Sequence, residues 1–352
     1  PLLQIVRTVR FFFIFPIYFV FRRLTQEEVS KVQCILFYIV LIQCCLFILQ
    51  VITGEVILTG SAGGSLMKDV GFRRFYNLPS LIYYFVFYAI FNNPFESKNK
   101  KKLSIVIIVI TLMLPLHRVL LTSFWLLVFW GIFLWSGGLK GSIKYIFIVV
   151  LCLLPFVNIL LTRFEKNTQS DVNQIIIGDF AEYVEVGTDM EMVENATMLF
   201  RIAHFYERFM YVIEDKRYIV FGAGYMSEDS ALADALDFNI GLMDYESRVL
   251  QVDSPDISWS SLVLRFGIVG TLVYLCFFTA LIVFCWKKRK WKLGMCSFLY
   301  LMLVFFTSIS SSEFYHAWLY IIVLLNIRDS AIAEVEEQNE DNGQNTLQKV
   351  II

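Results

Sequence analysis

Charge is scarce in this 352-residue chain, and neither sign prevails. Lys, Arg, Asp and Glu make up 17% of it, against about 25% in an ordinary soluble domain. Thirty basic and thirty-one acidic side chains leave a net charge of −1, which excludes a generic nucleic-acid-binding chain and predicts no nucleic-acid partner. None of the seven cysteines has zinc-ligand or disulfide-scaffold spacing, so no metal site and no cofactor is expected. Walker, HExxH and GxSxG sequences are all absent. Their absence argues against an ATP-driven pump, an HExxH metalloprotease and a GxSxG lipase.

What fills the chain instead is apolar. Hydrophobic residues reach 57%, mean hydropathy is +0.64, and 34 Phe, 17 Tyr and 7 Trp add aromatic bulk. This composition predicts an integral membrane protein of the all-α class. A hydrocarbon core of about 30 Å needs about 20 helical residues. Apolar runs between charges then predict about nine spans: 3–21, 32–53, 78–92, 103–117, 119–136, 144–162, 259–286, 293–310 and 314–327. The third, fourth and ninth are short, and Arg7 and Arg10 interrupt the first. The chain opens on Pro1, which points to residues upstream, and Arg22 and Arg23 follow the first apolar run where a signal peptide would have small residues.

Basic residues set the orientation. Arg22, Arg23 and Lys31, then Lys98 to Lys102, Lys140 and Lys144, and Lys287 to Lys292 fall in alternate loops and belong to the cytoplasm. Four regions follow: helices in 1–162, a large extracytoplasmic loop in 163–258, helices in 259–327, and a tail in 328–352. The tail carries Glu334 to Asn345, a polar acidic stretch that reads as disordered. The large loop holds nineteen acidic and seven basic residues. Most of its carboxylates need no role beyond a solvated surface.

A few charges do need a reason. In Met198 to Ile213, helical spacing puts Arg201, His204, Phe205, Arg208 and Val212 within one arc of roughly 100°. Two guanidinium forks on one face suit a diphosphate, although pairing with the acidic loop is the plainer alternative. Glu207 lies off that face, placed to orient an arginine. Arg73 and Arg74 in the 54–77 loop, and Arg118 at a tight connection, run against the positive-inside bias. They point to an anionic ligand at the outer mouth or to interfacial snorkelling. Phe221-Gly222-Ala223-Gly224-Tyr225 allows close backbone approach to a ligand or a helix, with Glu228 just beyond. Asp253 and Asp256 precede the next span, where a carboxylate serves as a general base or as a helix N-cap. Arg265, Gly267 and Gly270 fall early in that span, the glycines permitting close helix packing.

Taken together these segments resemble the O-antigen and capsular-repeat polymerase (Wzy-type) family, in the superfamily that includes the O-antigen ligases. The likeness rests on Arg118, on Phe200-Arg201-Ile202 with Glu207-Arg208, on Phe221 to Tyr225 with Glu228, and on Gln251 to Trp259 leading into Phe266 to Thr271. It covers residues 60 to 325 as an order of spans and is densest between 195 and 275. Membership implies a GT-C-like helical glycosyltransferase of the bacterial inner membrane, its large periplasmic loop capping a cavity. Such an enzyme joins lipid-diphosphate-linked repeat units without metal, its donor and acceptor both lipid-linked, in company with membrane lipid and a chain-length regulator protein. Arg118, Arg201 and Arg208 would then hold the diphosphate, with Arg73 and Arg74 behind them. Asp256 or Asp253 would be the base, with His204 as runner-up, and Glu207 and Glu228 would position arginines or sugar.

Three alternatives stand beside this reading. A ligase would favour a late histidine that the loop lacks. A carrier for lipid-linked glycan would favour symmetric halves and interrupted helices, and no interruption is evident in the sequence. A binding or sensor module would use the loop alone.

Overall fold

The computed structural model describes residues 14–21, 23–58, 66–67, 72–73, 75, 77–136, 197–226, 228, 230–241, 249–252, 257–316 and 319–327. Helices joined by irregular connections make up most of these residues, with one two-residue antiparallel ladder, β1 (Leu66–Met67) on β2 (Phe72–Arg73), Leu66 lying opposite Arg73. Among the described residues the labels are α1 (Ile14–Phe21), α2 (Gln26–Thr53), α3 (Ile82–Phe91), α4 (Lys98–Met113), α5 (Arg118–Trp135), α6 (Thr197–Glu214), α7 (Lys216–Phe221), α8 (Ser258–Lys287) and α9 (Lys292–Thr307). A 3₁₀ turn at Glu313–Tyr315 and a helical segment over 319–327 follow.

Helices α2, α5 and α8 are long and apolar enough to cross a membrane, and α3 and α9 are shorter apolar helices. This is a membrane protein. The expected span 144–162 lies outside the described residues, as do the part of the expected span 3–21 before Ile14, residues 163–196 of the loop and the tail from 328. Where the bounds differ, local chemistry accounts for it. α2 starts six residues before the expected 32, because Thr25 and Glu28 form a capping box: Thr25 N–H donates to Glu28 Oε2 at 2.8 Å, and Glu28 N–H donates back to Thr25 Oγ1 at 3.4 Å. Lys31 and Glu27, 2.6 Å apart, support the same polar first turns. Gly54, at φ +73°, ends the helix.

The chain divides into two compact units. One contains 12–117, 282–303 and 317–352. Its rings interlock around Phe37, which meets Phe85, Tyr88 and Phe95 at centroid distances of 5.6–6.0 Å. Between helices the connection is polar. Buried Asn326 accepts from Gln33 Nε2 of α2 at 2.6 Å and donates to Tyr84 Oη of α3 at 3.1 Å and to Ser297 Oγ of α9. Helix association in lipid gains little from apolar burial, so one amide joining three helices carries specificity that leucine contacts do not. Gln50 does similar work where α2 ends, donating to Asn77 at 2.8 Å and accepting the Ile57 and Leu58 N–H groups at 3.0 and 2.9 Å.

The other unit contains 1–11, 118–281 and 304–316. Here the start of α8 is tied to the serine-rich turn that follows α9. Trp259 Nε1 donates to Ser308 Oγ at 2.9 Å, and Ser258 N–H donates to the Ser308 carbonyl at 3.3 Å. Phe314 closes the contact, ringed by Trp259, Tyr274 and Phe278 at 4.7–5.4 Å.

Replacing Asn326 with Ala removes three buried hydrogen bonds and is expected to cost about 2–3 kcal/mol. Ser297→Ala removes one bond and costs about 1 kcal/mol. Thermal midpoints of the two variants in detergent check the order.

Candidate functional site

Helix α6 is the amphipathic element of the large polar region, and its inward stripe is Phe200, Ala203, His204, Arg208 and Val212. These recur at three- and four-residue intervals, one side of a helix. The basic arc expected to face a ligand is therefore largely the buried side. Val212 joins Met226, Ala233, Phe238 and Val252 of the loop and Val263 and Leu264 of α8 in one apolar core. The polar region is thereby packed onto the first turns of a membrane-spanning helix.

Arg208, only 1% exposed, sits inside that core. Its Nη1 donates to Glu207 Oε2 at 2.7 Å and to the Ile240 carbonyl. Its Nη2 lies 3.4 Å from the Leu250 and Gln251 carbonyls, and the guanidinium carbon stands 4.4 Å over the Phe238 ring. Burial lowers its pKa to about 10, with Glu207 and Glu228 acting in the opposite sense, so the group stays cationic at neutral pH.

The neighbouring side chains complete the frame. Glu207 accepts the N–H groups of Asn239 and Ile240 at 2.6 and 3.1 Å. Glu228 accepts those of Gln251 and Val252 at 2.6 and 2.8 Å. Gln251 accepts from Phe238 N–H at 2.7 Å and donates to the Phe238 and Val249 carbonyls at 3.2 and 3.0 Å. With almost no sheet to pair it, the loop backbone finds its hydrogen-bond partners in side chains.

A second feature fixes this frame to α8. The helix is interrupted at Gly267 (φ +69°, ψ −176°), and Gly222 after α7 has nearly the same conformation (φ +67°, ψ −173°). Only glycine occupies that region readily. The two backbones touch: a Cβ on Gly267 would lie 2.4 Å from the Tyr218 carbonyl oxygen, and one on Gly222 would lie 2.5 Å from the Arg265 carbonyl. The break frees helix carbonyls, and Ala223 N–H takes that of Leu264 at 2.7 Å. Arg265, 3% exposed, lies beside the break, its Nη2 3.2 Å from the Met226 carbonyl and its guanidinium carbon 5.4 Å from the Tyr225 ring centre.

The expected site residues separate accordingly. Arg208, expected as a diphosphate contact, directs its Nη donors at Glu207 and at backbone carbonyls. Glu207 pairs with Arg208, and Glu228 accepts the Gln251 and Val252 N–H groups. Arg201 lies half-buried on α6, one turn before His204. Arg118 opens α5, half-buried and in the same unit as α6. Arg73 belongs to the other unit, with only its backbone described, and Arg74, Asp253 and Asp256 lie outside the described residues.

His204 is 3% exposed, its Nδ1 has no hydrogen-bond partner among the described residues, and burial followed by the charge of Arg208 holds its pKa well below 6.5. It is therefore a neutral imidazole at pH 7. The carrier argument also needs correcting, since α8 is interrupted. Gln251 was legible only as part of a motif, since an uncharged amide carries no periodic signal. Among the described residues no group of three His, Cys, Asp or Glu side chains is placed to hold a metal ion. Comparison with known proteins finds no matching family, no matching characterised sequence and no matching solved structure.

Two outcomes are expected. Gly222→Ala and Gly267→Ala each bring a methyl group against backbone in a conformation that costs about 1–3 kcal/mol, so either substitution should lower the thermal midpoint more than Gly54→Ala, where a Cβ meets nothing. Below pH 6.5 the unfolded chain protonates His204 while the folded chain does not, so stability present at pH 7 falls as pH drops. The slope from this group is about 1.4 kcal/mol per unit and should vanish in His204→Phe, read from midpoints between pH 7 and 5.

Proposed function

We propose that the chain is a polysaccharide repeat-unit polymerase of the Wzy type, transferring a growing glycan from its lipid diphosphate to the hydroxyl of another lipid-linked repeat unit. The supporting observation is that α6, which carries Arg201, His204 and Arg208, packs through Phe205, Phe209 and Val212 onto the interrupted start of α8, which carries Arg265. In this reading the enzyme has the GT-C-like plan of about nine spans. It lies in the bacterial inner membrane with the large loop on the periplasmic side.

The chemistry asks for two things. Negative charge develops on the departing diphosphate, and fixed guanidinium donors stabilise it without metal. Arg201 and Arg118 take that role, and Arg208 keeps the α6 face in register. The acceptor hydroxyl gives up its proton as the new glycosidic bond forms. Asp256 or Asp253 receives it, and neutral His204 is the second candidate base. A lipid diphosphate is already a good leaving group, so no general acid is needed.

A second reading, a carrier for the same lipid-linked glycan, draws on the interruption at Gly267, since broken helices are a habit of transporters. Ligation to a lipid A core stays a third, weakened by the absence of a late loop histidine.

The discriminating experiment places purified protein in vesicles with undecaprenyl-diphosphate-linked repeat units and follows both glycan length and movement across the bilayer. Polymerase activity gives longer chains. Arg201→Ala should slow it by about 10²–10³-fold with an unchanged thermal midpoint, as for loss of one transition-state donor. Arg208→Ala should lose about 3–5 kcal/mol of stability, because a buried carboxylate is left without its cation. Wild-type chain growth by folded Arg201→Ala overturns the diphosphate assignment, and movement without chain growth selects the carrier.

A further inference from the structure

The unit formed by 12–117, 282–303 and 317–352 carries a concentration of positive charge that the proposed chemistry does not use. Lys98, Lys100, Lys101 and Lys102 open α4, and Lys287, Lys288, Arg289, Lys290 and Lys292 fill the turn from α8 to α9. Both groups lie toward the same end. α4 runs in the direction of α2, since Phe95 just before it packs on Phe37 and Tyr38 while Thr111 near its end donates to the Cys44 carbonyl. Its lysines therefore lie beside the N-terminal half of α2. Gln33 in that half and Ser297, just after Lys292 in α9, share the amide of Asn326.

The unit's described carboxylates are Glu27, Glu28, Glu55 and Glu96. Glu27 is taken by Lys31 at 2.6 Å, and Glu28 is held in the capping box. Lys98, Lys100, Lys102, Lys287, Lys290 and Lys292 are exposed and make no ion pair with a described carboxylate. Lysines in the first turn of α4 also oppose that helix's own dipole, so an external anion relieves a repulsion built into the element.

The α8–α9 turn is, moreover, held in shape. The Arg289 guanidinium carbon lies 4.1 Å over the Trp286 ring and Nη1 donates to the Trp286 carbonyl at 2.9 Å, while Lys288 Nζ lies 5.2 Å over Trp291. Gly294 lies so close to the Lys288 carbonyl that a Cβ there would approach to 2.2 Å. Tryptophan rings settle at the headgroup level of a bilayer, so cations stacked on them are presented at the depth of lipid phosphates.

We infer that this basic, tryptophan-bearing rim is a docking surface for anionic phospholipid headgroups. The inference does not rest on the polymerase reading. The other anion in reach by sequence is the acidic stretch Glu334 to Asp341 of the same chain. The Trp–cation pairs favour lipid, since a soluble tail has no need of cations set at headgroup depth.

The test is native mass spectrometry of the full chain released from micelles containing equal phosphatidylglycerol and phosphatidylcholine. Phosphatidylglycerol adducts should exceed phosphatidylcholine adducts, and the excess should shrink at 1 M salt, where the screening length falls to about 3 Å. Each basic residue near an anionic surface is worth about fivefold in binding. Joint substitution Lys287→Gln, Lys288→Gln, Arg289→Gln, Lys290→Gln and Lys292→Gln should therefore abolish the preference. Lys287→Gln, Lys290→Gln and Lys292→Gln together, which spare both Trp pairs, should reduce it at least about tenfold. Lys216→Gln with Arg217→Gln, exposed cations of α7, should leave it unchanged. Equal adducts of the two lipids, or a preference that survives the triple variant, overturns the inference. A preference that emerges only after removal of 328–352 also overturns it and assigns the rim to the tail.

Discussion

A guanidinium group withdrawn from water needs acceptors, and among the described residues of the polar region Arg208 gathers them at both Nη atoms while its buried Nε has none. The ion is balanced by one carboxylate, three backbone carbonyls drawn from two separate loop segments, and an aromatic face. Each acceptor is placed by something else: Glu207 by the N–H groups of 239 and 240, and the strand of backbone near 251 by Glu228 and by the Gln251 amide. Loss of any member leaves another polar group buried and unpaired. Such an arrangement is demanding to satisfy, and it yields a single geometry for a loop with little secondary structure of its own.

That geometry matters because of where it is anchored. The contact of Gly222 with Gly267 is backbone against backbone, so the loop meets α8 at the point where the helix is interrupted, not over a layer of side chains. The interruption exposes carbonyl groups that lipid could not solvate, and Ala223 satisfies one of them. Break and docking thus require each other. Arg265, beside the break and covered by Met226 and Tyr225, adds a second buried guanidinium to the same neighbourhood.

In the other unit, two buried amides each join several elements. Asn326 connects α2, α3 and α9, and Gln50 closes the backbone that leaves α2. Both side chains are amides, which carry donors and acceptors without the desolvation cost of a charge. The guanidinium solution in one unit and the amide solution in the other answer the same problem, the scarcity of specific contacts among apolar helices.

Local physics explains which parts were legible from residues alone. Membrane character, the positions of α2, α5 and α8, and the amphipathic α6 follow from hydropathy and helical period, which neighbouring residues determine. Thr25 with Glu28 marks the start of α2 for the same reason. Glycines 222 and 267 were readable as sites of close approach, but not as each other's partners. The role of Arg208 was decided only by the tertiary structure. An arginine beside a histidine on one helical arc looks the same whether it faces a phosphate or a carbonyl, and the carbonyls that receive it lie 32 to 43 residues further along the chain. Contacts at that separation depend on how the backbone returns, and the cost of burying the charge, paid by every group around it, selects the return path.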